Sequence, residues 1–192
     1  RTLLPLFDTL EGTRVTVRPY RVEDAEALRA AVDESREHVR PWLPFADAHR
    51  TIEESRNWII QGMASWLLRE DLPLSVWERA TDAYFGGIGL HPHNWDTGYF
   101  EIGYWLRVSA QGQGSIAEAA RLVTDFALDR LHANRVEIRC DARNRRSAAV
   151  AERLGFTREA LLRNHARAND GTLRDTLIFA LTPTDARPWH AS

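Results

Sequence analysis

The chain has 192 residues, of which 44% are hydrophobic and 27% charged, a composition ordinary for a globular protein with one sizeable core. Its formal net charge of −2 argues against a basic surface for nucleic acid, and no apolar run is long enough to cross a membrane. The one cysteine, Cys140, excludes an internal disulfide framework and favours a reducing compartment. We therefore expect residues 1–192 to form a single cytoplasmic domain.

The first part of the chain predicts a strand followed by two helices. Residues 13–19 alternate as a strand does, and the apolar stripe that begins after Glu23 predicts a helix over residues 23–34. Two prolines fall within residues 40–45, so this segment cannot be helical throughout. Thr51 and Glu54 have the spacing of a capping box, which predicts that a second helix begins there.

The middle of the chain predicts three strands and a helix that packs on them. Strands are predicted around Leu74–Arg79 and Phe85–His91 as a hairpin, and a turn cluster follows at Asn94–Gly98. Residues Phe100–Val108 predict the central strand. The helix after it carries an apolar stripe typical of packing on a sheet. The stripe comprises Ile116, Ala119, Ala120, Val123, Phe126, Ala127 and Leu131.

The last part predicts a strand at Arg135–Cys140 and a helix over Asn144–Leu154, which Gly155 closes in a left-handed conformation. Two further strands, Phe156–Arg163 and Thr172–Leu181, flank an Asn-Asp-Gly turn typical of a hairpin. The order β-α-α-β-β-β-α-β-α-β-β indicates an α/β (α+β) layer fold around a mixed sheet.

Two glycines, Gly112 and Gly114, lie where the central strand turns into a helix. Glycine lets the backbone turn tightly and approach a ligand closely. The first amides of a helix have no internal partner and lie at the positive end of its dipole, which favours bound phosphate. An ordinary strand-to-helix connection explains the glycines alone equally well.

Two phosphate ligands are compatible with this turn. Residues 112–117 match the dinucleotide fingerprint G-x-G-x-x-G/A, and Asp141 ends the next strand, where a ribose-binding acid is expected in an NADP-binding oxidoreductase. That fold needs further strand–helix units, and only a short helix and a hairpin follow Asp141. The alternative makes Gln111–Gly114 a pyrophosphate loop for coenzyme A, which requires only the elements that the chain supplies.

Six short motifs follow one another in the second half of the chain. They are Glu101–Leu106, Gln111–Gly114, Asn134–Glu137, Asn144 with Ser147, Glu152–Phe156 and Asp170–Asp175. With Arg40–Pro44 upstream, the ordered set resembles the GNAT-type N-acetyltransferase superfamily, in its ribosomal-protein (RimJ/RimL-like) branch. The resemblance spans roughly residues 14–183. One position departs from the general signature Q/R-x-x-G-x-G/A, whose last residue is Ile116 here, although that branch often has Ile or Met there.

The resemblance implies a mixed, mostly antiparallel central sheet with helices on both faces, and acetyl-CoA as co-substrate without a metal. It implies direct acetyl transfer to a primary amine in a ternary complex, with a ribosomal-protein N-terminus as the acceptor. A small amine, another donor such as succinyl-CoA, a silent acyl-CoA-binding module and a homodimer all stay open. Coenzyme contacts are implied at Leu106, Val108, Gln111, Gly112, Gln113, Gly114, Ser115, Asn144 and Arg146.

Two side chains are implied as catalytic by the same resemblance. Glu101 would act as a base through water, with His93 and Asp96 as weaker candidates, and Ser147 would protonate the leaving sulfur. Asn144 would hold the pantetheine arm, and it also fits a local role as the helix N-cap. His91 and His93 provide too few ligands for a metal site.

Aromatic side chains are the candidates for the acceptor groove. Trp42, Phe45 and Trp105 are predicted either to line this groove or to pack in the core. The groove is expected between the first two helices and the hairpin around Asn164–Asp175. Cys140, at a strand end, is predicted to be a buried, unreactive thiol.

Overall fold

The computed structural model describes residues 4–190, and its centre is an eight-stranded sheet. The strands are β1 (Leu10–Glu11), β2 (Val15–Pro19), β3 (Leu72–Glu78), β4 (Tyr84–Asn94), β5 (Tyr99–Leu106), β6 (Arg135–Asp141), β7 (Thr157–Arg167) and β8 (Leu173–Leu181). The α-helices are α1 (Ala25–Val39), α2 (Ile52–Leu68), α3 (Ser115–Asp125) and α4 (Arg145–Arg153).

Across the sheet the strands lie in the order β1-β2-β3-β4-β5-β6-β8-β7. Neighbouring strands are antiparallel except β5 and β6, which are parallel. The predicted mixed, mostly antiparallel sheet is therefore confirmed. The long connection between β5 and β6 contains α3, as a parallel crossover requires.

One face of the sheet packs against α3 and α4. Phe100 and Ile102 of β5 are buried in this layer, together with Val123 of α3 and Ala151 of α4. Each large apolar side chain buried in this way stabilises the fold by roughly 1.5–3 kcal/mol. The apolar stripe predicted for α3 is thus the side that faces the sheet.

The opposite face carries a second apolar cluster beneath α1 and α2. Leu28 of α1 and Ile59 of α2 are fully buried there. The hydroxyl groups of Tyr20 and Tyr84 lie 2.8 Å apart and satisfy each other inside this layer. The helices therefore cover both faces of the sheet, as expected.

Glycines in β4 make room for side chains that lie flat on the sheet. A Cβ atom at Gly87 would lie 2.7 Å from the indole nitrogen of Trp105. A Cβ atom at Gly89 would lie 2.5 Å from Nε2 of His91. The glycines that weaken the strand pattern in the sequence thus mark places where a neighbour needs the space.

Two local features differ from the sequence-based expectation. The first predicted strand begins at Val15, because residues 12–14 turn from the unpredicted two-residue β1 into β2. The helix α3 ends in a π-helical turn at Phe126–Arg130, in which Leu131 donates its amide hydrogen to the Phe126 carbonyl. Neither feature has a periodicity long enough to be recognised in a sequence.

Among residues 4–190, no helix combines the length and apolar character needed to cross a membrane.

His49 is a fully buried histidine next to the two-proline segment. Its Nδ1 lies 3.0 Å from the hydroxyl of Ser55, and its ring packs edge-on against Phe45 and Trp58. Burial, and secondarily the charge of Arg36, lowers the pKa of His49 to about 4, while Glu54 opposes this shift. The folded protein therefore holds this ring neutral.

We expect His49 to make stability fall in mildly acidic solution. The unfolded chain binds a proton at the ordinary pKa of about 6.5, whereas the folded protein binds it only near 4. The unfolding free energy should therefore decrease as pH falls from 6.5 to 4, by an amount on the order of 3 kcal/mol. Urea unfolding at several pH values would measure this.

The matched variants are His49→Gln, which should lose this part of the pH dependence, and His132→Asn. His132 is exposed and has a positive φ that asparagine tolerates. If His49→Gln kept the full pH dependence of the parent protein, His49 would not be its source.

Candidate functional site

The parallel strands β5 and β6 pair over only four residues and then separate. Tyr99–Ile102 pairs with Arg135–Ile138, after which β5 continues along β4 and β6 continues along β8. The facing edges of residues 103–106 and 139–141 consequently have no partner strand. Unpaired strand edges inside a sheet form a slot for an extended molecule that carries amide groups.

A glycine turn lies at the end of β5, directly before α3. Gly112 and Gly114 have φ values of 81° and 79°, which favour glycine, and a Cβ atom at either would meet nothing within 4 Å. The Glu118 amide donates to the Gly114 carbonyl, and the hydrogen bonds described for residues 4–190 include none from the amides of 112–117. The turn thus offers free amides and open space at a helix N-terminus.

Two carboxylates fix this turn from both sides. Before it, Glu34 of α1 binds Arg107 and accepts a hydrogen bond from the Ser109 amide at 2.9 Å. The hydrogen bond from Arg107 is the main reason that the pKa of Glu34 falls to about 2. After the turn, Glu118 accepts from the amides of Thr13, Arg14 and Val15. The loop is therefore held rigidly between α1 and β2.

The remaining predicted coenzyme contacts surround this turn. Val108 is exposed and donates its amide hydrogen to Ser35 Oγ at 3.0 Å, and Leu106 ends β5. Arg146 donates to the side chain of Gln111 at 2.8 Å, which places a cation beside the loop. Ser115 is buried, and its hydroxyl has no partner among the described residues.

Arg14 and Gln113 add to the electrostatics of the turn. Arg14 is exposed and donates to the carbonyl oxygen of Gln113 at 2.9 Å. A second arginine therefore lies next to the free amides. Sequence reasoning missed Arg14 because it is 99 residues from its partner.

The start of α4 supplies a hydroxyl cluster next to the slot. The side chain of Asn144 accepts the Ser147 amide hydrogen at 3.1 Å, so the predicted N-cap is confirmed. Tyr104 of β5 donates to the Ser147 carbonyl at 3.0 Å, and its hydroxyl lies 3.1 Å from Ser147 Oγ. Burial raises the pKa of Tyr104 and raises the pKa of Cys140 to about 11. Both groups stay protonated near neutral pH, which agrees with an unreactive Cys140.

Asp141 does not have the environment expected for a ribose ligand. Its carboxylate binds the Arg143 guanidinium at 2.8 Å and accepts the Arg143 amide hydrogen. These hydrogen bonds lower the pKa of Asp141. After β6, the residues described up to 190 form α4, an antiparallel hairpin and a short 3-10 helix at Pro188–His190. They contain none of the further strand–helix units that a dinucleotide fold requires.

Glu101 lies on β5 among basic side chains. Its Oε2 is 2.8 Å from His93 Nε2 and 3.5 Å from Arg139 Nε. The strand alternation places Glu101, Gly103 and Trp105 on the face of α1 and α2, opposite to Tyr104. Glu101 and Ser147 therefore approach the separation of β5 and β6 from different faces. Asp96 lies exposed in the turn after β4.

Three of the predicted acceptor-groove elements come together on the Glu101 face. The rings of Phe45 and Trp105 lie 5.2 Å apart, and the side-chain amide of Asn169 in the β7–β8 turn donates to the Arg40 carbonyl. Trp42 is half-buried in the turn after α1, outside the apolar cluster that contains Phe45 and Trp105.

Residues 4–190 contain no group of three or more His, Cys, Asp or Glu that could hold a metal ion.

Sequence reasoning also missed Tyr104, Glu118 and the pair His91–Asp71. Each of these residues is identified by a contact with a residue far away in the chain. Local sequence patterns do not reveal such contacts.

Comparison with known proteins gives a consistent result. Residues 14–157 match the family model described as the acetyltransferase (GNAT) domain. The Bacillus subtilis (strain 168) protein YdaF, which has the provisional name of a ribosomal N-acetyltransferase, is 29% identical over 92% of this chain and 95% of its own length.

The [ribosomal protein uS5]-alanine N-acetyltransferase of Escherichia coli (strain K12) is 26% identical over 93% of each chain. The solved structure of RimL, a ribosomal L7/L12 alpha-N-protein acetyltransferase in complex with coenzyme A, superposes with a TM-score of 0.84. It is 21% identical and covers 91% of this chain and 97% of its own.

Proposed function

Because the chain belongs to the GNAT acetyltransferase family, and is an acetyl-CoA-dependent N-acetyltransferase, we propose that its acceptor is the N-terminal amine of a ribosomal protein. The donor and the amine meet at the separation of β5 and β6, and the acetyl group moves directly between them. The open slot between two strands, with free helix-terminal amides at one end, supports the donor part of this mechanism. The names of the relatives support the acceptor.

The pyrophosphate of acetyl-CoA binds the amides from Gly112 to Ser115. The Gln111 amide, which was also expected to bind it, donates to the Val108 carbonyl at 3.2 Å instead. Free amides, the positive end of the α3 dipole and open space above Gly112 and Gly114 all favour an anion there. Arg146 and Arg14 lie close enough to the loop to attract the coenzyme phosphates. Leu106 and Val108 lie on the path from this loop into the slot.

The pantetheine arm lies in the slot between β5 and β6. It carries two amide groups, which pair with strand edges as a further strand would. Asn144 uses its side-chain oxygen for the α4 cap, so its NH₂ group remains to donate to the arm. The unpaired amides of β5 beyond Ile102 provide donors for the carbonyl oxygen, which gains negative charge during attack.

The leaving sulfur lies near the hydroxyl cluster of Ser147 and Tyr104. Ser147 Oγ donates to the sulfur, while the Tyr104 hydroxyl holds the Ser147 carbonyl. The amine enters from the opposite face, between the Arg40–Phe45 turn and the β7–β8 turn, where Trp42, Phe45 and Trp105 form the wall. The negative charge of Glu101 attracts the amine, and its part in deprotonation stays a prediction.

Calorimetry and a transfer assay test this function directly. Acetyl-CoA should bind, whereas NADPH should not, and succinyl-CoA should bind without efficient transfer. A peptide that begins with alanine, the residue named for the uS5 enzyme, should be acetylated, while the same peptide with a blocked N-terminus should not. Absence of transfer to the free peptide, with transfer to a small amine instead, would contradict the ribosomal-protein acceptor.

The variant Gly114→Val should weaken acetyl-CoA binding at least tenfold. Its side chain would project into the open space that the pyrophosphate needs, at a φ that valine disfavours. The matched control is Gly171→Val, since Gly171 has φ 84° and equally open surroundings in the β7–β8 turn. Equal dissociation constants for the two variants, measured by calorimetry, would place the pyrophosphate elsewhere.

Ser147→Ala and Asn144→Ala should have different effects. A coenzyme thiol has a pKa near 8.5, so its thiolate already leaves well and a donor adds at most about 10²-fold to turnover. Ser147→Ala should therefore lower kcat with little change in acetyl-CoA affinity. Asn144→Ala should weaken affinity, because it removes a donor and a helix cap. Steady-state kinetics measures kcat, and calorimetry measures the affinity for acetyl-CoA. If Ser147→Ala weakened the affinity and Asn144→Ala lowered kcat, the two roles would be assigned the wrong way round.

A further inference from the structure

An aspartate–histidine pair lies on the acceptor face outside the residues assigned so far. Nδ1 of His91 lies 2.6 Å from Oδ1 of Asp71, in the turn that leads into β3. With Asp71 ionised, Nδ1 carries the hydrogen and Nε2 presents its lone pair. The hydrogen bonds described for residues 4–190 use only Nδ1 of this ring. The side chains are 44% and 41% exposed, so a substrate can reach them.

The free Nε2 of His91 lies directly over the point where β5 and β6 separate. A Cβ atom at Gly103 would lie 3.2 Å from this Nε2. Gly103 follows Ile102, the last residue of β5 that pairs with β6. Glycines at positions 89 and 103 thus leave the imidazole resting flat on the sheet, beside the opening through which the donor reaches the acceptor face.

Glu101 is the alternative proton acceptor at this place, and its surroundings are less favourable. Its Oε2 is already in contact with His93 and Arg139. These contacts occupy the oxygen atom that would have to take up the proton from the amine. His91, in contrast, faces two carboxylates, Asp71 and Glu101, which favour its protonated form.

We propose that His91 is the residue that accepts the proton from the attacking amine, and that Asp71 is its positioning residue. The neutral amine nitrogen forms the C–N bond with the thioester carbonyl, the C–S bond breaks, and the sulfur leaves as thiolate. The proton that the nitrogen loses passes to Nε2 of His91 and then to solvent. This proposal rests on the acetyl transfer proposed above.

The charges around His91 adapt it to this role. Burial of the ring works to lower its pKa, but the hydrogen bond and charge of Asp71, followed by the charge of Glu101, raise the pKa of His91 above its ordinary value. The carboxylates near the ring are Asp71, just before β3, and Glu101 on β5. Glu101 in turn contacts His93 and Arg139. A base with a pKa near neutrality is the most efficient in water at pH 7.

The pH dependence of kcat/KM for the alanine peptide tests the proposal. In the parent protein, both the amine and His91 must be neutral, so log kcat/KM should rise with a slope of 2 below their pKa values. In His91→Gln the slope should fall to 1, and kcat/KM at pH 7 should drop at least 10²-fold, with the acetyl-CoA dissociation constant unchanged. Asp71→Asn should move the His91 limb of the profile to lower pH.

Gly89→Ala provides a second variant that keeps the imidazole. Its new methyl group would lie 2.5 Å from Nε2, so the ring must move off the sheet. It should lower kcat/KM as His91→Gln does, whereas the control His132→Asn should not. A slope of 2 in His91→Gln, or kcat/KM within twofold of the parent, would overturn the proposal. So would a parallel loss of acetyl-CoA affinity, since that would indicate a structural role.

Failure of the proposed function has a different signature. In that case the parent protein acetylates none of the amines, and a nuclear magnetic resonance titration still tests the pair. The pKa of His91, whose signal is identified by its loss in His91→Gln, should lie above the ordinary histidine value of about 6.5 and should fall in Asp71→Asn. A His91 pKa at or below the ordinary value of about 6.5, or one unaffected by Asp71→Asn, would overturn the proposal without reference to transfer.

Discussion

The early end of pairing between β5 and β6 is the constraint on which the site depends. Only four residue pairs join these strands, and each then follows its outer neighbour, β4 or β8. Because the strands separate inside the sheet, the facing edges of residues 103–106 and 139–141 have no partner strand. At this separation the hydroxyl groups of Tyr104 and Ser147 lie on one face of the sheet, and Glu101 and His91 lie on the other. A fully paired sheet would keep these two sets of groups apart.

Rigidity around the proposed phosphate turn complements this separation of the strands. Glu34 fixes the backbone before the turn to α1, and Glu118 fixes the backbone after it to the β1–β2 connection. These contacts, made by the chain itself, hold the backbone in the conformation that exposes the amides. Binding need not order the loop, and the free energy of association is not reduced by the entropy that ordering would cost.

Local sequence patterns predicted the elements well and the long-range contacts poorly. The capping box at Thr51, the cap at Asn144, the left-handed Gly155 and the turn before α3 were all recognisable, because each is determined by residues within about one helical turn. The β1 strand was missed because two residues carry no periodicity. The contact of His91 with Asp71 depends on the register of β3 against β4, which no local pattern reveals.

The walls of the proposed acceptor side are built differently from its floor. The floor consists of sheet glycines whose small size is required by neighbouring side chains, so almost any substitution there is costly. The walls are the turn after α1 and the tip of the β7–β8 hairpin, joined through Asn169 and Arg40. Surface connections accept substitutions and insertions more readily than strands do. Acceptor preference can therefore diverge during evolution through these two connections alone, while the machinery of acetyl transfer is inherited unchanged.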